Sequence, residues 1–202
     1  MRARRPPRGS HSPGAFFYYN NWDFNVLGKV FEQETGKDLF QEFNERIAKP
    51  IGMQDFVPSD GRWACLEGDG SNVGGDSAFL NYTFSLAARD TARFGQPYLR
   101  EGRWNDRQIV PAEWVKRSTT RYSDFDPPGF TGYGFLWWTM SFGYTALGQG
   151  GHVIAIIPAK DLVIVHRVHC APPREDSVPT RDIFAMVRMV MDAAPTPPAP
   201  AR

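Results

Sequence analysis

The chain has 202 residues, which is enough for one domain or for part of a larger protein. Aromatic residues are abundant (15 Phe, 7 Tyr and 6 Trp), so the sequence can build a hydrophobic core. A formal net charge of +1 argues against a general nucleic-acid-binding protein. No stretch is long enough to predict a membrane span, and the N-terminus lacks the apolar run of a signal peptide. The compartment and the oligomeric state stay open.

Composition divides the chain into three segments. Residues 1–14 are basic and Pro-rich, and their clustered arginines favour a disordered tail over a nucleic-acid or membrane patch. Residues 15–193 form the predicted domain, and residues 194–202 are a Pro/Ala-rich tail that we expect to be disordered. The two cysteines, Cys65 and Cys170, lie far apart in sequence and indicate no disulfide framework.

Two helices are predicted near the start of the domain. Asp23 can cap or charge the beginning of the first, and Gly36 is expected to end it. Three apolar residues at helical spacing predict its buried face: Phe24, Leu27 and Phe31. The second helix opens at Asp38 and stops before Pro50.

Two more helices are predicted in the middle of the chain. One begins near Ser85 and ends near Gln96, because Pro97 disfavours helical backbone in the residue before it. The other is short, with Pro111 at its first position and Trp114 on its buried side.

From Gly132 onward the pattern changes to β. The aromatic run 133–138 predicts a central strand, and residues 152–157 and 162–168 predict a hairpin. Residues 183–191 form a last amphipathic helix. A helical region followed by antiparallel sheet strands and a C-terminal helix indicates an α+β fold.

Two patterns suggest ligands at first sight but do not carry the prediction. The segment Gly68-Asp69-Gly70-Ser71 lacks the Gly-Lys-Ser/Thr ending of a phosphate loop, so it indicates a turn cluster. His166, His169 and Cys170 suggest a metal site, but positions i and i+3 of a strand point to opposite faces. We therefore predict no metal.

A hydrolytic triad that uses Ser10 or Ser12 with His11 is an alternative with no specific support. Neither serine has the flanking glycines of a nucleophile elbow.

The segment Tyr19-Asn20-Asn21 lies at the mouth of the first predicted helix and can place a phenol beside an amide. A tyrosine has a reference pKa of about 10, so about one phenol in a thousand is ionised at pH 7. To act as a general base, Tyr19 needs a neighbouring cation. The other interpretation of Tyr19 is a half-buried aromatic residue.

The glycine-rich stretch Gly148-Gln149-Gly150-Gly151 directly precedes a predicted strand. Glycines allow a substrate to approach the backbone, so N–H groups here can form an oxyanion hole. A tight turn or bulge between two strands explains the same glycines.

In their order and spacing, several segments resemble the β-lactamase-related serine hydrolases. That family includes class C β-lactamases, penicillin-binding D,D-peptidases, esterases and 6-aminohexanoate-dimer-type amidases. The segments that carry the resemblance are 17–28, 34–36, 50–53, 88–95, 102–104, 109–115 and 132–134.

The resemblance implies a partial β-lactamase/D,D-peptidase-like fold, with Tyr19 as catalytic tyrosine and Asn21 as the asparagine that orients substrate and lysine. Gln149, Gly150 and Gly151 correspond to the family's Lys/His-x-Gly motif, which implies a substrate-binding and oxyanion role. Gln149 brings no positive charge, which favours a small ester or uncharged amide as substrate. No metal or organic cofactor is implied.

The family's Ser-x-x-Lys nucleophile motif occurs nowhere in these 202 residues. We therefore expect the C-terminal portion of a serine hydrolase, produced by a mis-assigned start or a truncated gene, and inactive by itself. The alternative is a non-catalytic ligand-binding module or an inactive truncated product.

Overall fold

The computed structural model describes residues 6–64, 79–124, 129–169 and 177–195. Its α-helices are α1 (Asn21–Thr35), α2 (Leu39–Phe43), α3 (Ala88–Leu99), α4 (Ala112–Thr119) and α5 (Thr180–Ala193). Its strands are β1 (Gly61–Ala64), β2 (Asn81–Phe84), β3 (Arg103–Trp104), β4 (Arg107–Gln108), β5 (Ser123–Asp124), β6 (Gly132–Tyr133), β7 (Trp138–Met140), β8 (Gly143–Gly148), β9 (His152–Ile157) and β10 (Leu162–His166).

The chain divides into two compact units. The first unit comprises residues 1–49 and 54–86, and the second comprises residues 50–53 and 87–202. The α+β prediction is confirmed, because helices precede an antiparallel sheet and a last helix follows it. None of the helices within the described ranges is long and apolar enough to cross a membrane.

In the first unit, the ends of α1 follow ordinary capping chemistry. Asn20, rather than Asp23, is the N-cap residue, and Asp23 supplies the acidic charge of the first turn. Gly36 ends the helix with φ 66°, and its N–H donates to Glu32 O over 2.8 Å, as predicted.

The buried face of α1 differs from the prediction. Asn25 and Gly28 are the buried positions, whereas Leu27 is 49% exposed and Val30 is 42% exposed. Asn25 Nδ2 donates to Phe79 O over 3.2 Å, so its amide is satisfied inside the unit. Phe24 and Phe31 of the predicted face are half-buried, and apolar spacing missed the two fully buried positions because a hydrogen-bonded amide and a small residue occupy them.

The core of the first unit is a group of phenylalanine rings. Asp38 caps α2 as predicted, with its side chain accepting the Gln41 N–H over 2.8 Å. A wider helical turn, Asn44–Ala48, continues α2 as far as the residues before Pro50. Ring pairs with centroids 4.7–6.1 Å apart join four residues: Phe40, Phe43, Phe56 and Phe84.

In the second unit, six described strands form one antiparallel sheet in the order β10-β9-β8-β7-β6-β5. Strand β9 is central to the packing because helices cover both of its faces. Val153, Ala155 and Ile157 join Ile183 and Val187 of α5 in one buried cluster. The hairpin of β9 and β10 and the last helix were both predicted correctly.

Helix α3 covers the other face of the same two strands. An ideal Cβ on Gly95 would lie 2.5 Å from Val163 Cγ1 and 3.1 Å from Ile156 Cδ1. The helix therefore approaches β9 and β10 more closely than any larger residue would allow.

The predicted central strand 133–138 is wrong. The chain instead turns between β6 and β7, and the Gly134 N–H donates to Trp137 O over 2.7 Å. Leu136 adopts a left-handed conformation with φ 65° in this turn. The aromatic run contains the turn of a hairpin, and Gly134 was the residue in the sequence that indicated this turn.

Two helix predictions in the middle of the chain also need correction. Helix α3 starts at Ala88 and continues through Pro97, which is buried in its last turn. Packing of the ring offsets the local cost of proline at that position. Pro111 precedes α4 as its N-cap residue, and Trp114 is 44% exposed while Val115 faces the core.

Replacing Gly95 with Ala tests the close packing of α3 on the sheet. Overpacking costs about 1–3 kcal/mol, which exceeds the helix-propensity advantage of about 1 kcal/mol that Ala has over Gly. Gly95→Ala therefore lowers the free energy of unfolding of the second unit, as measured by urea denaturation.

The matched control removes the group that the new methyl would meet. In a Val163→Ala background, the cost of Gly95→Ala is smaller than in the wild-type background. An equal cost in both backgrounds would contradict the packing argument.

Candidate functional site

The Tyr-x-Asn segment is held at the start of α1 by the residue between its two candidate side chains. Asn20 Oδ1 accepts the Asp23 N–H over 3.0 Å, and Asn20 Nδ2 donates to Asp23 Oδ2 over 2.7 Å. Asn20 is therefore engaged in capping the helix. Asn21 is the first residue of α1, and Tyr19 lies two residues before it.

Tyr19 is partly exposed at this helix start. Its side chain is 40% exposed, and its ring meets the Phe24 ring edge-on with centroids 5.4 Å apart. Partial burial of the side chain raises the pKa of the Tyr19 phenol above its ordinary value. The phenol therefore favours its protonated form, and a role as a base would require a cation to offset the burial.

The segment Gln149, Gly150 and Gly151 forms the turn between β8 and β9, which we call the glycine turn. Gly150 and Gly151 adopt positive φ values of 83° and 104°. A Cβ on Gly151 would lie 3.0 Å from Val178 O, so a larger residue would be both strained and crowded there. The Gln149 side chain is exposed.

Two hydrogen bonds fix the carbonyls of the glycine turn. The Val178 N–H donates to Gly150 O over 3.0 Å, and His166 Nδ1 lies 2.8 Å from Gly151 O. The sequence indicated His166 only as a metal candidate and did not indicate Val178. The predicted hairpin register was the available signal for His166, since it places the end of β10 beside the start of β9.

His152 directly follows the glycine turn, and its surroundings shift the pKa of its imidazole. Burial lowers the pKa of His152, and its electrostatic interactions with Arg167 and His166 lower it further. Neutral imidazole is thus the favoured form of His152 near this turn.

The candidate residues fall in both compact units. Tyr19 and Asn21 belong to the first unit, where the structure places them together at one helix start. Gln149, Gly150 and Gly151 belong to the second unit and share one turn.

The alternative sites gain no support from the described contacts. Ser10 Oγ donates to Pro7 O over 2.7 Å, and the His11 ring stacks on Phe16 with centroids 4.3 Å apart, so these contacts pair neither with the other. Where the structure describes the chain, it contains no group of three His, Cys, Asp or Glu residues suited to a metal. Cys65, Cys170 and the turn cluster 68–71 lie outside the described residues.

The fold is that of the β-lactamase-like class of proteins. A sequence model of the beta-lactamase family matches residues 1–185, and the chain belongs to that family.

The chain is similar to two hydrolases of this family. It is 32% identical over 75 residues to a D-aminopeptidase from Brucella anthropi, a match that covers 36% of this chain and 14% of the relative. A protein from Bacillus anthracis assigned as a 6-aminohexanoate-dimer hydrolase superimposes with a TM-score of 0.64 at 26% identity. That superposition covers 93% of this chain and 47% of the other.

Two more distant solved structures share the fold. A protein from Bacteroides dorei assigned as a beta-lactamase gives a TM-score of 0.61 at 18% identity, covering 90% of this chain and 60% of the other. The octameric penicillin-binding protein homologue from Pyrococcus abyssi gives a TM-score of 0.55 at 18% identity, and the superposition covers 89% of this chain and 44% of the other. The chain thus spans roughly half the length of these solved relatives.

Replacing Asn20 tests how the Tyr-x-Asn segment is held. Asn20→Ala removes the N-cap acceptor, which costs about 1 kcal/mol of stability. Asn20→Ser keeps an acceptor and stays close to wild type. Urea denaturation followed by helical circular dichroism measures both variants, and equal losses in the two would contradict the capping role.

Proposed function

We propose that the chain is the part of a serine hydrolase that carries the catalytic tyrosine, the orienting asparagine and the oxyanion strand. The observation that carries the proposal is the placement of Tyr19 and Asn21 at the start of α1 in a beta-lactamase-family chain. The Ser-x-x-Lys motif would come from a segment outside these 202 residues, since the sequence given contains none.

In this proposal Tyr19 is the general base. The raised pKa of its phenol supports the need for a lysine ammonium at the complete site, which would favour phenolate. Phenolate takes the serine hydroxyl proton as the serine oxygen bonds to the acyl carbon. The phenol then gives that proton to the leaving group as its bond to the acyl carbon breaks, and water releases the acyl group by the same steps.

Asn21 and the glycine turn serve the substrate. By the resemblance to the family, Asn21 would orient the substrate and the lysine, while Asn20 caps α1. N–H groups of the glycine turn would stabilise the oxyanion that forms on the substrate carbonyl.

The substrate is a small ester or uncharged amide. An exposed, uncharged Gln149 at the start of the glycine turn offers a hydrogen bond but no charge to a substrate carboxylate. A D-aminopeptidase and a protein assigned as a 6-aminohexanoate-dimer hydrolase are among the relatives, which supports hydrolysis of a small molecule. The reaction needs no metal or organic cofactor.

Tyr19→Phe tests the proposal in the protein expressed from its complete reading frame. A Ser-x-x-Lys motif upstream of Met1 in that frame is the first expected result. Loss of the base then lowers kcat for small esters by about 10²–10⁴-fold.

Tyr18→Phe is the matched control, since it removes a neighbouring phenol and should leave kcat unchanged. A near wild-type kcat for Tyr19→Phe would contradict the assignment of Tyr19 as general base. A complete frame without Ser-x-x-Lys would leave the alternatives, a non-catalytic ligand-binding module or an inactive truncated product.

Gln149→Lys tests the substrate class. A lysine there can form a charge-assisted hydrogen bond, so kcat/KM for a carboxylate-bearing ester should rise relative to a neutral one on the order of tenfold. Gln33→Lys, at an exposed position on α1, adds the same charge elsewhere and should leave the ratio unchanged. An unchanged ratio for Gln149→Lys would show that this position does not face the substrate.

A further inference from the structure

The outward side of α1 carries an apolar surface, which we call the α1 stripe. It consists of Trp22, Leu27 and Val30, which are 46%, 49% and 42% exposed, and of the half-buried Val26. Positions 22, 26 and 30 repeat at i, i+4 and i+8, and position 27 lies beside them. The four side chains therefore share one side of the helix.

Helix α1 also has apolar residues on its other side. Phe24 and Phe31 are half-buried there, next to the buried positions Asn25 and Gly28. A surface helix ordinarily has one apolar side that faces the core and one polar side that faces water. The α1 stripe departs from this pattern, and burying it would gain free energy in proportion to the apolar area removed from water.

Two carboxylates flank the α1 stripe. Asp23 lies at its N-terminal end, one turn before Leu27, and Glu34 lies one turn beyond Val30. Both residues are exposed. The surface is thus complementary to a segment that has apolar residues at its centre and lysine or arginine at its edges.

The α1 stripe begins beside the candidate catalytic residues. Trp22 directly follows Asn21 and lies three residues after Tyr19. In the proposed function, a serine from outside these 202 residues comes within hydrogen-bonding reach of the Tyr19 phenol, which is about 2.6–3.2 Å. The segment that brings this serine therefore passes next to the start of α1.

The similar structures contain enough additional chain for such a segment. The matched parts make up 47% of the Bacillus anthracis structure and 44% of the Pyrococcus abyssi structure, so more than half of each lies outside the match. The α1 stripe extends over residues 22–30, a length of about 13 Å along the helix axis. A single short element can cover it.

We propose that the α1 stripe is the docking surface for the segment of this protein that carries Ser-x-x-Lys. That segment presents an apolar face with basic residues at its edges to α1. The inference rests on the proposed hydrolase function. A second copy of the chain is the competing occupant of the same surface.

Thiol labelling of the protein expressed from its complete reading frame tests the docking without any assay of activity. Leu27→Cys and Val30→Cys each place a thiol in the α1 stripe. Glu45→Cys is the matched control, because the Glu45 side chain is 54% exposed in the same unit. Mass spectrometry of the peptide that contains each introduced thiol gives its rate of reaction with N-ethylmaleimide, in native buffer and in urea.

A docked thiol reacts only when the contact opens. We therefore expect Leu27→Cys and Val30→Cys to react at least about a hundredfold more slowly in native buffer than in urea. The two rates of Glu45→Cys should differ far less. If the stripe thiols are no better protected than Glu45→Cys, the docking proposal is overturned.

The same measurement over a range of protein concentrations distinguishes the two occupants. Protection by a segment of the same polypeptide is independent of concentration, whereas protection by a second copy falls as dimers dissociate. Size-exclusion chromatography gives the oligomeric state at each concentration. Protection that is lost on dilution, or a dimer that Leu27→Asp converts to monomers, would assign the α1 stripe to a second copy and overturn the proposal.

Leu27→Asp also tests the link between the α1 stripe and the reaction. A carboxylate in the stripe should weaken the docking, so that Val30→Cys in this background reacts as fast as Glu45→Cys. Misplacing a reacting group by about 1 Å can cost about 10²-fold, and kcat for small esters should fall by about tenfold or more. Leu27→Met keeps an apolar side chain of similar volume and should retain both protection and kcat.

The outcomes separate this inference from the proposed function. If Tyr19→Phe is severe but the stripe thiols are unprotected, the docking fails and the hydrolase function stands. If the stripe thiols are protected in a monomer but Tyr19→Phe has no effect, the hydrolase proposal fails and the covering of the α1 stripe stands.

Discussion

Burial of β9 on both faces is the constraint on which the second unit depends. Val153, Ala155 and Ile157 pack towards α5, while Ile156 lies against α3 at Gly95. Strands β8 and β10 pair with the two edges of β9, so both neighbours fix the register of β9. The glycine turn directly precedes β9, and its position follows from that register. The candidate site in this unit therefore depends on ordinary hydrophobic packing several residues away.

Where local chemistry decided the structure, the sequence was sufficient to predict it. Gly36 and Asp38 ended and opened helices as expected, because their backbone and capping preferences act within one turn. The β9–β10 hairpin was equally predictable, since two apolar runs flank a turn. The predictions failed where tertiary packing determined the local structure. Pro97 continues a helix because its ring is buried, and Asn25 faces inward because a carbonyl satisfies its amide.

The candidate site shows the same division. The Tyr-x-Asn segment could be placed at a helix start from sequence because capping residues and apolar spacing surround it. The capping residue was not predicted: the sequence indicated Asp23 as cap or first-turn charge, whereas Asn20 caps the helix by accepting the Asp23 N–H. His166 and Val178 were out of reach for another reason: each contacts the glycine turn from a distant segment. Such contacts depend on the register of strands that the sequence only outlines.

The outward face of α1 has a consequence for how the protein behaves in water. Leu27 and Val30, three residues apart on one face, are 49% and 42% exposed. Water orders around such apolar surface, and the resulting attraction between molecules is mainly entropic near room temperature. That attraction weakens on cooling and strengthens in sulfate-rich buffers. Separate copies of the chain should therefore associate least at low temperature and in buffers whose salts are weak at salting out.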